Sequence, residues 1–93
     1  MLRIEDLTID DHILDKIESK HGVSFEEVRD TCFSGTYQVR RSRGGLYKLF
    51  GQTTPGRHIL VVLVSRGEGL WKIVTAREMT DKERRLYVKT KGT

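Results

Sequence analysis

Apolar side chains recur at two different spacings along the chain, and the spacing changes once. In the first third, Ile13, Leu14 and Ile17 stand three and four positions apart, the period of one helix face. Asp10 and Asp11 precede them as candidate caps, and Gly22 stands where a chain turns left-handed past a helix end. A second helix is predicted from Ser24. Glu27 follows at capping-box spacing, and Val23 and Val28 stand where a hydrophobic staple closes. Phe25, Val28 and Cys32 then share one side, and the helices meet at a His21-Gly22-Val23 corner.

After Gly35 the pattern becomes extended. Thr36 to Arg41 and Leu46 to Gln52 flank the turn Ser42-Arg43-Gly44-Gly45, and Thr53-Thr54-Pro55-Gly56 is the next turn. The apolar run Ile59 to Val64 predicts a central strand covered on both sides, and Gly67-Glu68-Gly69 turns it into a last strand, Leu70 to Arg77. Thr80-Asp81-Lys82-Glu83 is a second capping box, opening a helix that runs to about Lys89. Short connections throughout imply an antiparallel meander. The predicted fold class is α+β: two N-terminal helices, a four-stranded antiparallel sheet and a C-terminal helix, with the helices on one side of the sheet.

At 93 residues the chain has room for a single domain, residues 1–93, with one modest core. The run Ile59 to Val64 falls far short of the roughly 20 apolar residues of a membrane span, so no membrane partner is expected. The opening Met-Leu-Arg-Ile-Glu-Asp lacks the pattern of a secretory signal, and the single Cys32 cannot form an internal disulfide. Together they point to the reducing cytoplasm, with Cys32 as a small buried hydrophobe.

The formal net charge of +4 conceals a division. Residues 1–30 carry nine acids against four bases, a net −5, whereas the remainder carries thirteen bases against four acids, a net +9. A basic surface on one part of a small domain is a footprint for polyanions; its bland counterpart is a solvated face whose signs happen to segregate.

Several chemistries find no support. Arg43-Gly44-Gly45 lies in a hairpin and is not a phosphate loop, and no Cys or His pair has metal-ligand spacing, so no metal or cofactor is expected. Metal-free ribonuclease chemistry needs less: a proton acceptor, a proton donor and cations for the phosphoryl oxygens. Lys20-His21 at the end of the first helix, and Arg77 with Arg84, Arg85 and Tyr87 around the last strand-to-helix junction, supply such groups. Arg84 and Tyr87 are three apart and are expected on one helix face. Each also has an ordinary role: Glu83 as cap partner of Thr80, the arginines as a solvated face, Tyr87 as packing, and Tyr47 and Trp71 as core residues rather than base-stacking ones. Composition and spacing alone leave a basic α+β domain with an anionic partner.

Two stretches go further. Lys20-His21-Gly22-Val23-Ser24-Phe25-Glu26-Glu27-Val28 resembles the KHGVSFEEA signature of BrnT-type toxins, the ribonuclease components of type II toxin-antitoxin modules. Ile73-Val74-Thr75-Ala76-Arg77-Glu78-Met79-Thr80, continuing to Glu83-Arg84-Arg85 and Tyr87, resembles that family's closing pattern, and Gly56-Arg57-His58-Ile59-Leu60-Val61-Val62 is similar to its central strand. The resemblance implies a RelE-like fold, RNA cleavage that arrests translation, and a hetero-oligomer with a small antitoxin carrying a ribbon-helix-helix DNA-binding part. It makes Lys20, His21, Arg77, Glu83, Arg84 and Tyr87 the catalytic candidates, with Arg77 stabilising phosphate and His21 or Glu83 moving protons. Arg40, Arg41, Arg43, Lys48, Arg57 and Arg85 become the candidate RNA contacts. The opening Arg3-Ile4-Glu5-Asp6-Leu7-Thr8-Ile9-Asp10 departs from the family's aromatic-rich Phe-Glu-Trp-Asp type of strand. The alternative is therefore a BrnT-like module that binds nucleic acid or protein without catalysis.

Overall fold

A computed structural model describes residues 2–33 and 36–91; Gly35, the predicted point of change from helical to extended chain, lies outside the described residues. The elements run β1 (Asp6–Ile9), α1 (Asp11–His21), α2 (Phe25–Phe33), β2 (Gln38–Arg41), β3 (Leu46–Gln52), β4 (His58–Gly67), β5 (Leu70–Glu78) and α3 (Asp81–Lys91). A single 3₁₀ turn, Arg43–Gly45, joins β2 to β3.

Local chemistry accounts for the helix ends. Gly22 takes the left-handed conformation at φ 64° and donates its N–H to the Ile17 carbonyl, closing α1. The Ser24 box forms in both directions: Ser24 N–H donates to Glu27 Oε1 at 3.0 Å, and Glu27 N–H donates to Ser24 Oγ at 3.1 Å. Val23 and Val28, the staple pair, are fully buried. Asp10 holds the N-cap position of α1 but its side chain makes no capping bond. Its carboxylate pairs instead with Lys72 Nζ at 3.0 Å, binding the start of α1 to β5.

The sheet has five strands in the order β1-β5-β4-β3-β2. The predicted meander is present, since β2, β3, β4 and β5 pair antiparallel in sequence. The expected four-stranded antiparallel sheet is nevertheless corrected to a mixed five-stranded one: β1 adds in parallel beside β5, with Leu7 opposite Trp71 and Ile9 opposite Ile73. The alternation of Leu7 and Ile9 spans only four residues, too short a run to stand out as a strand. Parallel pairing also arises from a long crossover, for which no turn motif exists.

One sheet face is the core. Leu7, Leu49, Ile59, Val61, Leu63, Ile73 and Ala76 meet Ile17, Val23, Val28 and Cys32 from α1 and α2. Burial pushes the Cys32 thiol up to about 12, so it serves as a hydrophobe there. Gly51 lets α2 approach the sheet closely, because a Cβ on it would stand 2.9 Å from Thr31 Cγ2.

The other face carries Gln38, Lys48, Phe50, Leu60 and Arg77, linked by the cross-strand pairs Gln38–Phe50, Phe50–Leu60 and Leu60–Arg77. α3 lies on this face: Tyr87 is 2% exposed, its ring stands edge-on to His58, and its carbonyl accepts from Gln38 Nε2 at 3.1 Å. The expectation that all helices share one side is thus corrected. α3 has few apolar residues, and its inward stripe of Glu83 and Tyr87 gives the sequence no sign of which face it covers. With α3 below and α1–α2 above, Ile59, Leu60 and Val61 are all buried, as expected of a central strand.

Candidate functional site

A β-bulge decides where the key arginine points. Trp71 and Ile73 face the core, and strict alternation would send Arg77 the same way. Between Val62–Thr75 and Leu63–Ile73 the register of β4 and β5 slips by one, leaving Val74 as the extra residue. Beyond it Ala76 is the core residue and Arg77 projects to the α3 face.

The capping box of α3 then fixes that side chain. Thr80 N–H donates to Glu83 Oε1 at 2.8 Å, and Glu83 N–H donates to Thr80 Oγ1 at 3.2 Å. The same carboxylate receives Arg77 at both oxygens, from Nη1 at 2.8 Å and from Nη2 at 3.1 Å. Arg77 Nη1 also donates to the Glu78 carbonyl at 3.0 Å. Its Nε–H and one Nη2 hydrogen have no partner among the described residues. Arg77, and after it the Thr80 N–H, holds the Glu83 carboxyl down to about 2, so Glu83 is a permanent anion at neutral pH. That makes it a clamp for Arg77 and a poor carrier of protons.

Beside the clamp lies an open groove of about 200 Å³, lined by Gln38, Arg40, Lys48, Phe50, Glu83, Leu86 and Tyr87. Two cations from the β2–β3 hairpin thus face an aromatic and aliphatic wall. Burial pushes the Tyr87 hydroxyl above its ordinary value, so it keeps its proton.

Of the catalytic candidates, Arg77, Glu83 and Tyr87 come together on this face. Arg84 does not share their direction: its side chain is 55% exposed and lies 3.6 Å from Asp81. Lys20 and His21 close α1, whose Ile17 packs in the core on the opposite face of the sheet, and no contact joins them to Arg77, Glu83 or Tyr87 among the described residues. Of the RNA-contact candidates, Arg40 and Lys48 line the groove, while Arg43 in its turn and Arg85 on α3 are exposed. Arg41 lies over the Tyr47 ring at 5.7 Å, and Tyr47 packs edge-on against the buried Trp71. Arg57 is a staple: it donates to Glu27 at 2.8 Å and to the Gly22 carbonyl at 2.8 Å, and pairs with Glu78 at 3.1 Å.

The residue that sequence reasoning missed on this face is His58. Counting back by two from Leu60 places it there, with Tyr87 at 5.7 Å between ring centroids. The alternation of β4 carried that information, but continuous burial of Ile59, Leu60 and Val61 masks it.

A sequence profile described as "Ribonuclease toxin, BrnT, of type II toxin-antitoxin system" matches residues 10–83, a span that takes in Arg77 and Glu83 and stops short of Tyr87. Among solved structures, the 1.1 Å crystal structure of the Brucella abortus ribonuclease toxin BrnT is similar to this chain with a TM-score of 0.69 and 14% identity. The match covers 82% of this chain and 97% of the Brucella one. At that identity the likeness is one of fold. No curated protein matches.

Proposed function

The chain belongs to the BrnT family of ribonuclease toxins of type II toxin-antitoxin systems, and from that premise we propose that it is a metal-independent endoribonuclease whose site is the α3 face of the sheet. The observation that carries this reading is Arg77, aimed by a bulge, clamped by Glu83 and set beside the groove of Arg40, Lys48 and Tyr87.

RNA carries its own nucleophile. The ribose 2′-oxygen attacks the adjacent phosphorus, the bond to the 5′-oxygen breaks, and a 2′,3′-cyclic phosphate and a 5′-hydroxyl result. The enzyme need only orient the strand, move a proton and stabilise charge on the non-bridging oxygens. Arg77 takes the last role with the N–H groups that Glu83 and Glu78 leave over. Arg40 and Lys48 hold the neighbouring phosphates, and Phe50 and Tyr87 form the wall against which a sugar or base rests.

In this reading the protein acts in the cytoplasm, cutting RNA and arresting translation until a small antitoxin with a ribbon-helix-helix part covers the basic surface. β1 lies at the sheet edge opposite the β2–β3 groove, and the altered N-terminal strand contributes none of the groove's lining residues.

The test is induction of the protein alone in bacteria. Growth should stop and RNA fragments with 5′-hydroxyl ends should accumulate, and co-expression of the partner encoded beside it should restore growth. Undiminished growth with intact RNA would sink the proposal. Binding of RNA without cutting, with affinity falling steeply as salt rises, would identify a non-catalytic module instead.

A further inference from the structure

We propose that His58 is the general base of this site, its imidazole taking the proton from the ribose 2′-hydroxyl. The inference rests on the nuclease reading above and names a group that no motif singled out.

Position carries it. His58 opens β4 opposite Gln52, and its carbonyl accepts the Met79 N–H at 3.1 Å, so its backbone is fixed at the strand-to-helix junction where Arg77 and Glu83 meet. It shares a face with Leu60, whose cross-strand partner is Arg77. Diagonal neighbours of this kind lie about 7–8 Å apart at Cα, close enough for an imidazole and a guanidinium to flank one phosphodiester. Its ring meets that of Tyr87 at 5.7 Å and 81°, an edge-to-face contact that limits ring rotation.

Elimination by chemistry agrees. Among the described residues, the charged and titratable groups placed beside His58 on this face are Arg77, diagonal to it from β5, and Tyr87 of α3, with Glu83 clamped to Arg77; on β3 Gln52 and Phe50 do not titrate. Arg77 does not release a proton, Glu83 is bound by Arg77 as a carboxylate, and the Tyr87 hydroxyl retains its hydrogen. The remaining histidines, His12 and His21, belong to α1 in the other layer. Imidazole is also the side chain whose ordinary pKa, about 6.5, best suits proton exchange at neutral pH.

The step balances as follows. The 2′-oxygen forms its bond to phosphorus as its proton passes to His58, the electron pair of the breaking bond leaves on the 5′-oxygen, and that oxygen takes a proton from water. The hydroxide so formed is neutralised by the proton His58 gives up, which regenerates the base.

The experiment uses the full chain on an in-vitro transcribed messenger RNA, with and without ribosomes. The rate for the intact protein should fall on the acid side, as the base takes up a proton before the substrate can deliver one. At neutral pH His58→Gln and His58→Asn should cut about 100-fold more slowly, with RNA binding and melting temperature near those of the intact protein. Added imidazole should restore cleavage to His58→Gly. A flat pH profile for the intact protein, or cleavage by a folded His58→Gln at an undiminished rate, overturns the assignment and leaves the nuclease reading standing. An intact protein that cuts no RNA under either condition overturns both.

Discussion

Arg57 and Arg77 each donate to the glutamate of a capping box, Glu27 after Ser24 and Glu83 after Thr80, on opposite faces of one sheet. The residue types are nearly interchangeable, and the connectivity separates them. Arg57 reaches a carboxylate thirty positions away in α2, a second at the end of β5 and the carbonyl of the α1–α2 corner, so it joins three parts of the chain. Among the described residues, Arg77 bonds only within the junction between β5 and α3. A cation whose partners come from distant segments holds the fold together, whereas one whose partners are local is held in direction by the fold. The second arrangement leaves donors for a ligand.

This contrast breaks most sharply under Arg77→Ala. Cleavage should fall about 100- to 1,000-fold, the range seen when one preorganised donor to a developing oxyanion is removed. Stability should change by less than about 1 kcal/mol, because the pair is partly solvent-screened. Cleavage kinetics and thermal melting of the same sample decide it, and a folded variant that still cuts would remove Arg77 from the site. Arg57→Ala should do the reverse. Its loss strips hydrogen bonds from a carboxylate and a carbonyl at once, a cost of about 1–2 kcal/mol and a fall in melting temperature of about 4–8 °C for each kcal/mol. Cleavage below the new melting temperature should persist. A variant that melts normally but no longer cuts would make Arg57 an RNA contact after all.

Both clamps contain motifs that are visible in the chain, and that visibility has a physical limit. Capping boxes, the Gly22 corner and the alternation of Leu46 to Gln52 are local, so their spacing was enough to place α1, α2, β3 and α3. The parallel pairing of β1, the side of the sheet that α3 covers and the bulge at Val74 are set by packing between distant segments. For the site this mattered in detail. The family motif pointed to Arg77, Glu83 and Tyr87, which the fold brings together, and equally to Lys20 and His21, which it places in the other layer. The alternation of β4 sends Arg57 and His58, adjacent in sequence, to opposite faces, but which face meets Glu27 and which meets Tyr87 is set by where α2 and α3 pack.

A titration sharpens the comparison from the acid side. The Glu83 carboxyl is held at about 2 against an ordinary value of 4.5, and Glu27 is also lowered, first by the Ser24 N–H and then by Arg57. A depressed folded value contributes stability that is fully present above the unfolded value and disappears as pH falls through the folded one. The stability gap between the intact protein and Glu83→Gln should therefore be complete at neutral pH and narrow from about 4.5 down to about 2. Denaturant unfolding at stepped pH measures it. A gap that stays constant would mean that neither Arg77 nor the Thr80 N–H favours the charged form of Glu83.

The smallest effect is expected at His21, and it is the most discriminating. His21 lies in the segment with the closest motif resemblance, and without a structure it is as good a proton carrier as His58. Its helix packs on the Ala76 face, while Arg77 projects from the other, and His21 is not among the residues that line the groove. His21→Ala should therefore leave the cleavage rate within about a factor of two, equivalent to about 0.4 kcal/mol in the barrier. A loss approaching that of Arg77→Ala, with the fold intact, would move the chemistry to the edge of the sheet where α1 ends and would replace the groove as the site of cleavage.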